Sequence, residues 1–503
     1  MYNLRSRVID ISTEKRTSLL NLKDAEAFGI RTHDRVRVRA GERSVTTIVQ
    51  TTRTIVHPGE LGVFEDVARQ LEIESGAMVA VELQPAPTSL RLIQKKLKGE
   101  RLTGEEILNI TGDVVNRNLS DVEIAAFLLA QQFHGMAIEE TVSLTKAMVE
   151  TGASIDFEKP VYDKHSIGGI PGNKVSLLIV PIIAAAGLLI PKTSSKAITS
   201  ASGTADTMGV LAPVEFSAGE LKKIVLKTHG AIVWGGSLNF APADDILINV
   251  EYPLQIDPES QMLASILAKK LAVGTDYLVI DLPVGKESKV ESFEEARGLS
   301  NRFIELGEKL GIAVKCGLTY GGQPVGYAVG PALEAREALQ ALEGKGPSSL
   351  VEKSTALAGL LFEIAGKVVR GKGQDFAKEI LNNGRALKKM REIIEAQGGN
   401  PMIKPEDIPI GQHVAEIYAP ADGYITRVSN RAITEIARAA GAPMEKGAGL
   451  IFYGKEGHKV TKGEKVLEIY AERESKLEEA RTVALKINPI TVEGMLLREI
   501  PEF

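Results

Sequence analysis

Tyr162-Asp-Lys-His-Ser-Ile-Gly-Gly-Ile-Pro-Gly-Asn-Lys174 is the stretch on which the reading of this chain turns. It brings two lysines, a histidine, hydroxyl and amide side chains and three glycines together in thirteen residues. Glycines let the backbone approach a ligand closely, and lysines supply positive charge. The apolar run Val175–Gly187 follows directly. A loop joined to a buried run is how an anion, most often a phosphate, is held at the edge of an α/β sheet. A second such loop lies downstream, Pro191-Lys-Thr-Ser-Ser-Lys-Ala-Ile-Thr-Ser-Ala-Ser-Gly-Thr-Ala-Asp206. Two anion-friendly loops flanking one buried segment imply a ligand with two charged groups, or two ligands.

The first loop is not a Walker A motif. Counting from Gly168, the second required glycine falls on Asn173, and Val175 stands where the hydroxyl belongs. No Gly-x-Gly-x-x-Gly opens a helix, so a dinucleotide fold has no support, and no Gly-x-Ser-x-Gly elbow marks a serine hydrolase. Taken alone, the loop is equally well read as a generic glycine-rich turn. His165, by itself, reads first as a hydrogen-bonded structural residue, but its phosphate-compatible neighbours Lys164 and Ser166 move it towards a site.

The 503 residues imply three or four domains, with hydrophobic (44%) and charged (25%) fractions normal for a globular protein. A net charge of −5 argues against a nucleic-acid-coating protein. One cysteine, Cys316, excludes an internal disulfide framework and a Cys-rich metal site, and the seven histidines form no His-x-x-x-His pair. No cofactor or metal is expected. Without a signal-like apolar N-terminus or a run of eighteen apolar residues, the chain reads as cytoplasmic, with no membrane partner.

Residues 1–86 carry short β-type runs such as Arg35–Arg39 and Ser44–Gln50, and form a small, mostly β domain ending at Gln84-Pro-Ala-Pro87. From Thr88 the period becomes helical, with capping-box patterns at Thr103-Gly-Glu-Glu106 and Ser120-Asp-Val-Glu123. About four helices are expected, assigned with a later segment to a helical domain over 88–155 and 243–273. Strand-like runs at Gly230–Trp234, Tyr277–Leu282 and Ala313–Leu318 alternate with helices such as Ser292–Leu310. They predict an α/β phosphate-binding domain over 161–240 and 275–400. A proline-bearing linker leads to an α+β domain over 408–503, where Val460-Thr-Lys-Gly-Glu-Lys-Val-Leu-Glu-Ile has a hairpin pattern.

In Asp257-Pro-Glu-Ser-Gln-Met-Leu-Ala-Ser265-Ile-Leu-Ala-Lys269-Lys270, Ser265 and Lys269 share a helix face. A capped helix with a solvated lysine accounts for this segment; so does a cleft wall with Asp257 as general acid. The loop Gly285-Lys-Glu-Ser-Lys289 follows a strand's carboxyl end, where open α/β sheets bind ligands, and is otherwise a solvated charge cluster.

Together these segments resemble the thymidine/pyrimidine nucleoside phosphorylase family, and most closely its archaeal AMP phosphorylase branch. The marks are Asp163-Lys-His-Ser-x-Gly-Gly, Ser194–Asp206, Ala264-Ser-Ile-Leu-Ala-Lys-Lys270 and Ile394-Glu-Ala-Gln-Gly-Gly399, and the likeness runs from about Thr88 to the C-terminus. The N-terminal β domain is similar to the AMP-type branch. The resemblance implies a nucleoside phosphorylase type II-like α/β core with a helical domain. It implies cofactor-free phosphorolysis of AMP, with CMP and UMP as further substrates, and a homodimer or larger homo-oligomer. Closure is expected to hinge near Asp156–Val161 and Asn239–Ile246.

By the same resemblance, Lys164, Ser166, Ser176, Ser194 and Thr204 contact inorganic phosphate, while His165, Ser265 and Lys269 contact the nucleoside. The AMP branch adds nucleotide contacts at Gly169, Ser195, Lys196, Ala197, Ile198, Thr199, Ser200, Thr204, Ser265 and Lys289, with Asp257 as a buried proton donor. Three positions depart from the pyrimidine pattern. Val250 stands where those enzymes carry an arginine, fifteen residues before the helix serine, and Lys196 and Gly209 replace a signature Arg and Glu. Loss of the arginine fork argues against thymidine as the main substrate.

Overall fold

The computed structural model describes residues 1–11 and 16–496. These form two compact units, the described residues of 1–151 with 241–265, and 152–240 with the described residues from 266 onward.

The first unit opens with a closed barrel in the order Tyr2–Ile9, Glu60–Phe64, Thr17–Asn21, Arg43–Thr52, Arg35–Ala40, Met78–Gln84. The alternation Arg-Val-Arg-Val-Arg places Val36 and Val38 inside with no exposure, and the arginines outside. Leu4, Leu20, Val49, Leu61, Val63 and Val81 complete the barrel core, and closure leaves no free sheet edge. Four helices follow, Thr88–Leu97, Gly104–Val115, Asp121–His134 and Ile138–Glu150. Thr103 and Glu106 form the expected reciprocal cap, and the Glu123 carboxylate accepts from Ser120 N at 2.8 Å. Arg35 of the barrel donates to Asn118 O and pairs with Glu123, fixing the barrel to the helices. The helix Pro242–Leu254 returns to this layer.

The second unit is built on parallel strands Tyr162–Ser166, Ile190–Ser194, Gly230–Trp234, Tyr277–Val284 and Ala313–Tyr320. One ladder runs in the order Ala313–Tyr320, Tyr277–Val284, Tyr162–Ser166, and the Val161–Leu189 bridge joins it to the other two strands. All five carboxyl ends therefore face one side. The helix Ser176–Ala185 is apolar all round because it is buried all round, packed against Ser348–Ile364 and Arg385–Ala396. Burying each of its Leu and Ile side chains is worth about 1.5–3 kcal/mol.

The C-terminal part of this unit has two small sheets. Gly449–Phe452 and Lys465–Ala471 pair with His413–Tyr418 on one side and with the two-residue strand Ala328–Val329 on the other. Gly423–Val428 lies between Lys459–Val460 and Ile490–Glu493. Fold class therefore follows the sequence reading, whereas the hairpin expected at Val460–Ile469 does not form. Lys459–Val460 pairs with Gly423–Tyr424 and Lys465–Ala471 with His413–Tyr418 and Gly449–Phe452, so the two belong to different sheets. Among the described residues no helix is long and apolar enough to cross a membrane.

One ion pair in the helical layer is fully sheltered. Lys96 Nζ lies 2.9 Å from Glu140 Oε1, both side chains are buried, and the carboxylate also accepts from Leu102 N and Ala137 N. Removing one partner leaves an uncompensated buried charge. Glu140→Ala should lower stability by about 3–5 kcal/mol in urea denaturation, and the double change Lys96→Met with Glu140→Leu should recover most of the loss.

Candidate active site

Side chains alternate along the strand Tyr162–Ser166, so Lys164 and Ser166 face one way and Asp163 and His165 the other. On the first face, Lys164 Nζ lies 3.7 Å from Asp281 Oδ2, and Lys353 Nζ lies 3.3 Å from the same oxygen. Thr319 Oγ1 donates to Asp281 Oδ1 at 2.6 Å. On the second face, Lys270 Nζ lies 2.5 Å from Asp163 Oδ2, and Lys192 Nζ lies 3.9 Å from Asp163 Oδ1. Four buried lysines thus share two buried aspartates within a parallel sheet, two lysines and one aspartate on each side of the strand Tyr162–Ser166. Such a floor is short of negative charge, and an anion placed on it completes the pairing.

Titration follows from this crowding. Burial pushes the Lys164 ammonium down to about 8; Lys353 adds to the shift while Asp281 and Asp163 oppose it. Burial also holds Lys192 well below the ordinary lysine range, with Lys270 and Lys164 reinforcing the shift and Asp163 opposing it. His165 is held well below its ordinary value by burial and by Lys270, Lys192, Lys164 and Lys269, so at neutral pH it offers an uncharged imidazole. Burial pushes the Asp281 carboxyl up, but Lys353 and Lys164 more than offset this and hold it below the usual range.

Above this floor the glycine loop turns back on itself. Gly168 and Gly169 have φ of +90° and +89°, and a Cβ on Gly169 would sit 3.0 Å from Lys289 N. The loop therefore touches the 285–289 segment through a glycine that no other residue can replace without strain. Asn173 Nδ2 donates to Ser166 Oγ at 3.0 Å, and Ser176 begins the buried helix, itself buried. Lys174 is not part of the anion-facing charge. Its ammonium is buried against Val325 O, Ala328 O and Glu337 Oε2 at 3.1, 2.9 and 2.6 Å, so one of the two lysines read from the opening stretch is structural.

The second loop leaves the strand Ile190–Ser194. Asp206 Oδ2 accepts from Ala197 N at 2.6 Å and Gly203 N at 2.9 Å, folding Ser195–Ser202 into a tight lobe whose Ser195, Ile198 and Thr199 are exposed. A Cβ on Gly203 would lie 2.5 Å from Ser195 O, which requires glycine there. Thr204 starts the short helix that follows. Lys196 Nζ lies 2.7 Å from Glu215 Oε1 and 3.9 Å from the centre of the Trp234 ring, so its charge is oriented by a carboxylate and an aromatic face.

The helix Glu259–Ala272 carries Ser265 and Lys269. Ser265 Oγ donates to Asp244 Oδ2 at 2.8 Å within the first unit, and Lys269 belongs to the second. Asp257 lies two residues ahead of this helix with its side chain exposed, where the sequence reading expected a buried carboxyl; Pro258 takes the buried position instead. Val250 is buried on the helix Pro242–Leu254. Lys192, Lys270, Lys353 and Asp281 were missed by sequence reasoning. Only the alternation in Pro191-Lys-Thr-Ser and the tandem Lys269-Lys270 hinted at two of them. A cavity of about 440 Å³ elsewhere in the second unit, lined by Tyr327, Arg336, Glu337 and Lys345, includes none of the predicted site residues.

Residues 90–152 match the helical bundle domain of a glycosyl transferase family, residues 158–387 its a/b domain, and residues 424–491 the pyrimidine nucleoside phosphorylase C-terminal domain. The chain is 52% identical to an AMP phosphorylase of Methanosarcina acetivorans, covering 98% of this chain and 97% of that one. It is 50% identical to an AMP phosphorylase of Pyrococcus furiosus, with 98% of both chains covered. Among solved structures, anthranilate phosphoribosyltransferase from Thermus thermophilus superposes with a TM-score of 0.51 at 21% identity, over 61% of this chain and 98% of that one; the likeness is one of fold. With half its residues shared over nearly the full length of these relatives, the chain belongs to the AMP phosphorylase family.

Proposed function

We propose that this chain catalyses the reversible phosphorolysis of AMP, giving adenine and ribose 1,5-bisphosphate. A phosphate oxygen attacks the anomeric carbon, the bond from that carbon to the base nitrogen breaks with its electron pair leaving on adenine, and the base takes up a proton. The observation that carries the reading is the lysine-rich floor beneath the glycine loop. It supplies the cationic, water-poor setting in which a phosphate dianion is held, and that dianion in turn faces and stabilises the positive charge that develops at the anomeric carbon. Lys164, Ser166, Ser176, Ser194 and Thr204 hold the attacking phosphate in this reading. Gly169, Ser195–Ser200, Ser265 and Lys289 take the nucleotide, uncharged His165 and Lys269 steady the sugar and base, and Asp257 gives the proton. The relatives' printed activity supports the choice of AMP.

The competing reading is a pyrimidine nucleoside phosphorylase, supported by the C-terminal domain match. A buried valine at position 250 offers no fork of donors to a pyrimidine carbonyl, which favours AMP. A phosphate-dependent product assay on AMP, CMP, UMP and the matching nucleosides decides the matter. Turnover of AMP with release of adenine supports the proposal; thymidine or adenosine turned over as well as AMP overturns it.

Two residue-level outcomes follow. Asp257→Asn should lower kcat by about 10²–10⁴-fold while AMP affinity, read by calorimetry, changes little. Lys164 loses its charge as pH rises through about 8, whereas inorganic phosphate is already the dianion there. The KM for phosphate, referred to the concentration of the dianion, should therefore be flat below that pH and climb above it. Lys164→Gln should raise it at every pH and abolish the dependence.

A further inference from the structure

The two loops assigned to the nucleotide leave different strands, and neither has much apolar burial of its own. Both are gripped by one helix of the C-terminal domain, Asn430–Ala439. At its amino end, Glu287 of the 285–289 loop accepts from Ser429 Oγ at 2.8 Å and Arg431 N at 3.1 Å, and pairs with Arg427. A carboxylate at a helix N-terminus is well placed against the unpaired backbone N–H groups. Glu287 has φ of +64°, a conformation costly for a non-glycine residue, which the surrounding bonds must hold. Asn430 Nδ2 reinforces this end by donating to Gly321 O at 2.9 Å from a buried position.

The opposite end of the helix holds the other loop. Arg438 Nη1 donates to Ile198 O at 2.8 Å and Ser200 O at 3.3 Å. The next residue of that loop, Ala201, is 1% exposed and packs into the C-terminal core beside Ile433 and Ala437. The two grips are separated by eight residues of helix, a rise of about 12 Å. A helix is far stiffer than either loop, so the separation of the loops is set by it.

We infer that the helix Asn430–Ala439 is a strut that fixes the spacing of the 195–200 and 285–289 loops, and that the C-terminal domain thereby tunes affinity for the nucleotide and not for inorganic phosphate. The inference rests on the nucleotide assignment of those loops given above. Arg438 and Glu287 act through the loops and touch no substrate; they are positioning residues. Of the residues assigned to inorganic phosphate, Ser194 and Thr204 bracket the 195–200 loop, but Ser194 is held by strand pairing with Trp234 and Thr204 by the helix it opens, and neither grip bonds to Lys164, Ser166 or Ser176.

The test uses the full chain carrying R438M, R438K or E287Q. Substrate-free hydrogen–deuterium exchange should quicken across 195–203 in R438M and across 285–290 in E287Q. The KM for AMP should rise about tenfold in R438M, with the KM for phosphate and kcat altered by no more than about threefold. R438K, which keeps the charge but loses the planar fork, should fall between R438M and the unaltered chain. Faster exchange with an unchanged KM for AMP, an equal rise in both KM values, or unchanged exchange overturns the inference. Should R438M not fold, R438K and R427M, the latter at an exposed side chain, carry the same comparison. If the unaltered chain turned over no AMP, the functional reading would fall while the exchange measurements still decided whether the strut exists.

Discussion

Two buried aspartates, Asp163 and Asp281, hold the ammonium groups of four lysines among parallel strands, and much of the second unit is organised to make that possible. An isolated ammonium in such surroundings loses its proton before it tolerates the missing water. The carboxylates prevent full loss at Lys164 but do not balance the set, and the remaining deficit is what makes the floor receptive to an anion. Every neighbouring element has a part. Strand Tyr162–Ser166 supplies Asp163 and Lys164 on opposite faces, strand Tyr277–Val284 supplies Asp281, and strand Ile190–Ser194 supplies Lys192. Helices Glu259–Ala272 and Ser348–Ile364 bring Lys270 and Lys353.

How much of this was legible in the sequence depended on whether a residue's role is local. The caps at Thr103 and Ser120 read correctly because four consecutive positions define each. Strand Gly230–Trp234 and the helix from Phe293 to Leu310 read correctly because each carries its own local pattern of apolar residues. The glycine loop was recognisable, yet Lys174, ten residues past Lys164, could not be assigned to structure without knowing that Glu337 lies beside it. The cationic floor was mostly invisible for the same reason. Lys192, Lys270 and Lys353 are far apart in sequence and meet only through the sheet. The hairpin at Val460 failed because turn chemistry specifies a reversal of the chain, not which strands will pair across it.

A family mark can be structural. In Ile394-Glu-Ala-Gln-Gly-Gly399, Gln397 is buried, accepts from Ile232 N at 3.0 Å and donates to Ile232 O and Pro213 O at 2.9 Å each. Its amide thus stands in for a further strand along Gly230–Trp234 and satisfies backbone groups that burial would otherwise leave unpaired. Gly399 follows because a Cβ there would lie 2.3 Å from Leu211 O. Neither residue reaches substrate in the functional reading; both hold the edge of the sheet whose ends do.

The two-residue strand Ala328–Val329 bears on how such a chain can be rearranged. Its residues extend a sheet of the C-terminal domain by pairing with Leu450 and Ile451, while the carbonyl of Ala328 also receives the buried Lys174 ammonium. The segment 398–410 looks like a natural joint for domain exchange, but severing the chain there also unzips a ladder and uncovers an apolar strand edge prone to self-pairing. Modules that look separable along the chain are thus grafted together in space. A fusion or swap at this joint must carry its own replacement for the missing strand.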